Sequence, residues 1–354
     1  MISPPDVHLL DQPPMAVLDL YGRMFSYTSS RSFKGVQPAM WQCSDESQGI
    51  KRSLFGYVYN CPVFNLGRVG ALIDAQRLLP AGRHGQDLVI FGGSHIGSHL
   101  IDGIGHVERV NGSISPCCGM LYRVLKDYLH LYRRARGLIR LFREGSSLRI
   151  EIPYKYLFVP RAADSPQLKL HIERLVEGNA LRDSGNGKVY RLNGEFAQKH
   201  DFAIRELDGD GCVIGDLLES DHFTFVQKLD YDSQDIGDLI TTSVFGFMNE
   251  IVTSAQPHRR LADINTWRQF HHLINYLTDH FELRDRNIFI VAGLCIDHSV
   301  RLNTIIPQFG FLLEGGQVLD AKYFGPKEIN SLLNSNTPTL PDYTFMQYAG
   351  VSSA

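Results

Sequence analysis

The chain has 354 residues, enough for two domains or one large one with a sizeable buried core. At 44% apolar and 21% charged it has an ordinary globular composition, and no run of about 18 apolar residues offers a membrane span. A formal charge of −3 gives no general attraction to nucleic acid, and six cysteines are too sparse for a disulfide framework, so a reducing, cytoplasmic setting is expected.

Residues 1–35 read as an irregular lead-in with one apolar run, Met15–Leu20; without a basic start ahead of an apolar core, no secretory signal is expected. Residues 36–120 are rich in glycine and short apolar runs. Asp87–Phe91 has a buried-strand pattern that stops at Gly92-Gly93, which places His95 just past the carboxyl end of a strand, where open α/β sheets bind ligands. Residues 121–143 predict a helix: Leu121, Val124, Leu125, Tyr128, Leu131, Tyr132, Leu138 and Leu141 recur at helical spacing. Its seven Lys and Arg against the single Asp127 read as a solvated face balanced by acidic segments elsewhere rather than as a nucleic-acid or lipid surface. Residues 148–160 predict a strand pair or extended segment, and residues 178–195 a hairpin around the turn Asp183–Gly187. Residues 201–240 are acidic. A second helix is expected over 265–282, then a strand, Asn287–Ala292, ending at Gly293. Asp87–Gly97 and Arg286–Asp297 echo one another, as a degenerate duplication of one α/β unit or as two buried strands alike by chance.

Three fragments carry chemistry: Cys43-Ser44-Asp45-Glu46, Ser94-His95-Ile96-Gly97 and Cys117-Cys118-Gly119. Cys43, His95 and Cys118 offer two thiolates and an imidazole, the ligand set of a zinc site with one position left for water. Cys118 at a helix start is favoured as a thiolate by the helix dipole and free N–H groups; Cys117 is the alternative ligand. Asp45 could orient the water or take the fourth position. His99 and His106 flank the site as potential proton carriers. Cys61 and Cys212 have no such context.

The order Cys-x-Asp-Glu, His-Ile-Gly, Ser-x-x-Cys-Gly before a helix resembles the limiting-CO2-inducible protein B family, which are β-type carbonic anhydrases. Phe64-Asn65-Leu66-Gly67, Gly105, Arg109 and Ser115 follow the same rhythm, over about residues 40–122. The resemblance implies Zn2+ held by Cys43, His95 and Cys118, and Asp45 paired with an arginine. The β-type pattern would put that arginine at Ser47, so Arg52, Arg68 or Arg109 must serve, with Arg109 favoured. It also implies CO2 and bicarbonate as substrates, a small apolar pocket lined by Phe64, Leu66 and Ile96, and a homo-oligomer, with no nucleic-acid or membrane partner.

A second, local resemblance lies at residues 286–314. Val291, Gly293, Leu294, Asp297 and Val300 match the isochorismatase and nicotinamidase type of cysteine hydrolase. The nucleophile would fall on Ser299, with Cys295 as a substitute thiol, Lys228 and Asp230 upstream, and Asp19 as the acid. A structural zinc closed by Asp45 or Cys117 is the non-catalytic alternative. The expected architecture is α/β: parallel strands flanked by helices, β-carbonic-anhydrase-like, with a zinc domain over 1–150 and a second module or degenerate repeat over 151–354.

Overall fold

The computed structural model describes residues 13–31, 33–45, 48–84, 87–99, 103–109, 111–205, 212–213, 217–280, 283, 286–298, 302–315 and 321–338. The chain forms two compact units, Met1–Tyr122 with His258–Ala354, and Arg123–Pro257. This division differs from 1–150 and 151–354, because the last hundred residues complete the first sheet rather than building one of their own.

In chain order the elements that matter for the site are α1 (Val17–Ser29), β1 (Gln37–Trp41), α2 (Gly49–Tyr59), β2 (Leu88–Gly92), β3 (His95–His99), α3 (Gly119–Leu138), α4 (Pro257–Asp279), β4 (Ile288–His298), β5 (Leu302–Leu313) and α5 (Pro326–Asn334); α3 belongs to the second unit from Arg123 on, and the rest build the first. The mixed sheet runs β5–β4–β2–β1. β4, β2 and β1 are parallel, and β5 is antiparallel at the other side of β4. Both faces are covered, which is why β2 reads as a continuous apolar run instead of an alternating one. Ala39, Trp41, Leu88, Ile90, Ile288 and Ile290 face α4, through Phe270, Leu273, Ile274 and Leu277. Met40, Val89, Phe91, Phe289 and Val291 face the helices α1, α2 and α5.

The lead-in expected to be irregular is helical over α1. Val17, Leu20, Tyr21, Met24, Tyr27 and Thr28 are its buried residues, an i, i+3, i+4 stripe that the short apolar run conceals. The helix predicted over 121–143 stops at Leu138; after the exposed Gly137, residues Arg140–Glu144 pair with Ser147–Pro153 and bury Leu141 in the sheet of the second unit. β4 passes through Gly293 to His298, with a bulge between Ala292 and Gly293 where a stop was expected. The hairpin near 178–195 is present as Val176–Asp183 against Gly187–Leu192. It belongs to a five-stranded antiparallel sheet in the second unit. The two echoing segments are neighbours: Leu88 pairs with Ile288, Ile90 with Ile290 and His95 with Cys295, in parallel register.

Asp263 on α4 is buried and accepts a hydrogen bond from Gln308 of β5. Burial pushes its carboxyl up to about 6, and Arg259, Gln308 and Arg260 offset only part of that. An acid whose folded pKa is raised stabilises the fold fully below its ordinary value near ~3.9, and that contribution is lost as pH rises through the folded value. At neutral pH the shift costs about 3 kcal/mol. Asp263→Asn is therefore expected to raise the urea midpoint at pH 7.5 and to flatten the stability profile between pH 4 and 7. An unchanged midpoint at pH 7.5 contradicts this.

Candidate metal centre

The chemistry-bearing residues gather at the carboxyl ends of the parallel strands. Trp41 ends β1, and Gln42, Cys43, Ser44 and Asp45 follow it directly; Gly93 and Ser94 lead from β2 into His95. Glycine is required at both steps of that turn. A side chain on Gly92 would fall 2.0 Å from the Trp41 ring, and one on Gly93, at φ +148°, 1.8 Å from the Gly293 carbonyl oxygen. Cys117 and Cys118 come from the other side. A hairpin of His106–Glu108 and Ile114–Pro116 leads into them. Cys117 is locked to β3 by Gly97 N–H donating to its carbonyl, and the Cys118 carbonyl accepts the first bond of α3 from Tyr122.

The Cys43 Sγ, Cys118 Sγ and a His95 ring nitrogen lie within 4.8 Å of one another, all buried. The two sulfurs are 3.6 Å apart. A tetrahedral zinc with Zn–S bonds of ~2.3 Å has an S···S edge of about 3.8 Å. Gly70 N–H donates to Cys43 Sγ at 3.2 Å. Asn265 on α4 ties that loop to the histidine loop, donating to Gly70 O and Ser94 Oγ. Thr266 Oγ1 accepts from Ser94 N–H. The Cys118 hydrogen bond lowers the pKa of Cys43. The same bond, helped by burial, raises that of Cys118.

The two nitrogens of His95 have different surroundings. Nδ1 lies 2.9 Å from Asp297 Oδ2, 3.0 Å from Gln48 Nε2 and 3.2 Å from Cys117 Sγ. Nε2 is buried and makes no hydrogen bond. An orphaned nitrogen is costly in a dry interior, and together with two thiols it fits a zinc ion that would take all three. A carboxylate on the far nitrogen of a zinc-binding histidine is the usual support. That carboxylate is itself held: Lys51 Nζ donates to Asp297 Oδ1 at 2.6 Å and to Gln48 Oε1 at 2.9 Å. Both side chains of the Lys51–Asp297 pair are 1% exposed. Burial pushes the Asp297 carboxyl up, but Lys51 and His95 more than offset it and keep it well below the usual carboxylate range. Burial pulls His95 down, yet its hydrogen bonds, first of all with Asp297, leave it well above its ordinary value.

Asp45 is joined to Arg109, whose NH1 donates to Oδ1 at 3.0 Å. Arg109 is fixed in turn by Nε donating to Ser115 Oγ at 2.7 Å and NH2 to Pro116 O at 3.1 Å. Asp45, His95 and Cys117 form a second group of potential ligand atoms within 4.8 Å, sharing His95 with the first. The fold thus brings Cys43, Asp45, His95, Arg109 and Cys118 together. Gln48, Lys51, Asn265 and the role of Asp297 were not signalled in the sequence.

Other expectations fall elsewhere. Leu66 and Ile96 are fully buried and Phe64 packs against the core, so these side chains fill space around the centre. His99 and His106 are half-buried on neighbouring strands. Of the hydrolase set, Ser299 and Val300 lie outside the described residues, as does Ser47; Asp19 is on α1, and Lys228 and Asp230 are in the second unit. Cys295 is fully buried, its sulfur accepts from Gln42 Nε2, and burial pushes its thiol up, the setting of an inert cysteine.

These features define an α/β protein with a thiol–imidazole centre at the ends of parallel strands. No known family profile and no curated protein matches the chain. Among solved structures it is similar to PtLCIB4, a homolog of the limiting CO2-inducible protein LCIB, with a TM-score of 0.51 and 11% identity over 88% of this chain and 94% of that one. A histidine-to-alanine variant of PtLCIB4 aligns equally well, with a TM-score of 0.51 and 11% identity over 86% and 91% of the two chains. The fold is therefore that of the limiting-CO2-inducible protein B family, which the sequence resembles in its motifs. No helix among the described residues is long and apolar enough to cross a membrane.

Proposed function

We propose that the protein is a zinc-dependent carbonic anhydrase that interconverts CO2 and bicarbonate. The observation that carries this reading is the buried, unpartnered His95 Nε2 in one cluster with two thiols set at a tetrahedral edge distance. When bound, zinc lowers the pKa of a bound water to about 7 and so supplies a nucleophile at neutral pH. Cys43, His95 and Cys118 would hold the ion. Arg109 fixes Asp45 beside these ligands, where the carboxylate would accept a hydrogen bond from water and orient it toward CO2. Water and CO2 yield bicarbonate and one proton, which leaves to solvent.

The same reading includes a cytoplasmic, reducing compartment, which suits the free thiols of Cys43, Cys61, Cys117, Cys118 and Cys295, and a homo-oligomer, by analogy of fold. CO2 and bicarbonate are the partners; nucleic acid and membrane have no part in it. The grouping of Asp45 with His95 and Cys117 favours a second reading, a zinc-binding homologue closed by Asp45 and catalytically silent. Elemental analysis of protein purified without added metal is expected to give about one zinc per chain, with CO2 hydration in stopped flow. Folded protein without zinc rejects both readings; zinc without hydration leaves the silent one.

A further inference from the structure

The motif Cys295-Ile296-Asp297 is not used by the ligand set, yet it pairs with the segment that carries His95. In the parallel register of β3 and β4, Cys295 faces His95 and Asp297 faces Gly97. Asp297 reaches back so that Oδ2 meets His95 Nδ1. Lys51, Gln48 and Cys117 also bear on this carboxylate. Lys51 Nζ takes Oδ1, Gln48 Nε2 donates to Oδ2, and Cys117 Sγ stands 3.5 Å from Oδ2. Because Lys51 also takes Gln48 Oε1, the amide can turn only its nitrogen toward Asp297. Gln48 Nε2 and His95 Nδ1 therefore converge as two donors on one oxygen, which accounts for their 3.0 Å separation.

We propose that Asp297, anchored by Lys51 and Gln48, is the positioning residue of the centre, holding the Nδ1 proton of His95 and so turning Nε2 toward the metal. The inference rests on the zinc reading for its purpose, although the tautomer is a property of the protein without metal. The geometry leaves Asp297 one task. It is too enclosed to meet substrate, and its contacts fix a ring orientation. A histidine set this way binds zinc without turning its ring. Such outer supports are typically worth 10–100-fold in metal affinity.

The tautomer is read directly from the 15N shifts of the His95 ring in metal-free and zinc-loaded protein, the signal being assigned by its loss in His95→Gln. The expected result is a protonated Nδ1 in both forms; an Nδ1 without its proton in either form overturns the proposal. The second arm is the double variant Lys51→Met, Asp297→Asn. It removes both buried charges together, which folds tolerate far better than stranding one of them. The amide that replaces the carboxylate can donate or accept, so it imposes no tautomer. The variant is expected to keep its fold, show mixed His95 tautomers and bind zinc 10–100-fold more weakly in competition with a chelator. A folded double variant with wild-type zinc affinity and a single tautomer refutes the positioning role. If the variant does not fold, the wild-type ring shifts decide. If wild-type protein takes up no zinc, the carbonic anhydrase reading fails while the metal-free tautomer still decides what Asp297 does.

Discussion

Cys118→Ser is expected to remove zinc from the protein and, with it, CO2 hydration. The hydroxyl is a much poorer zinc ligand than a thiolate, and at this position nothing else can shift to replace it. Cys118 is pinned by its own carbonyl at the start of α3 and by Cys117, whose carbonyl is tied to Gly97 of β3. The neighbouring thiol, Cys117, is committed to the Nδ1 side of His95, 3.2 Å away, opposite the orphaned Nε2. The loss of zinc affinity should therefore exceed the 10–100-fold that outer supports contribute. The fold should survive, because the strands beneath the centre are buried on both faces whether or not metal is present. Zinc content after exhaustive dialysis, read beside the circular dichroism spectrum, checks this. Full retention of zinc would move the ligand role to Cys117 and to the group that Cys117 forms with Asp45 and His95.

The reason Cys118 could be singled out in the sequence is that its signal is local. A cysteine followed by glycine at the start of an amphipathic helix states its own setting, and so does a histidine two residues past Gly93. The parallel sheet was legible for the same kind of reason, since the apolar run of β2 needs two covered faces. What stayed hidden was long-range. Asp297 lies 202 residues from His95, and Lys51 lies 246 from Asp297. Within its own segment Asp297 looked like part of a hydrolase motif, because the side chain that gives it meaning arrives from a parallel neighbour. Lys51 gave no signal of its own, and only its near-total burial reveals its task. The division into units differs from the expected one for a related reason. β4 repeats the pattern of β2 and so read as the start of another sheet, whereas it is the next strand of the same one. α1 was missed because its buried stripe is spread among Ser, Thr and Gly, which dilute the apolar signal.

The paired variants of Asp45 and Arg109 have the other large expected effect, and they separate an open centre from a closed one. If Arg109 keeps Asp45 off the fourth position, Asp45→Ala should retain zinc, because three ligands remain. It should lose on the order of 10²-fold in CO2 hydration, the scale of a positioned proton acceptor, and its pH profile should change. Arg109→Met should do something different. It strips three hydrogen bonds from the dyad, two of which tie the guanidinium to Ser115 and Pro116. Asp45, released from that guanidinium and already within 4.8 Å of a His95 nitrogen, is then expected to close the site. Zinc should be held at least as tightly as in the wild type while hydration falls below that of Asp45→Ala. The double variant decides between this and simple damage. Removing the carboxylate that does the closing should bring activity back up to the level of Asp45→Ala, a non-additivity that only a shared pathway produces. If Asp45→Ala instead loses its zinc, Asp45 is a ligand in the native protein, and the centre is closed as the second reading requires.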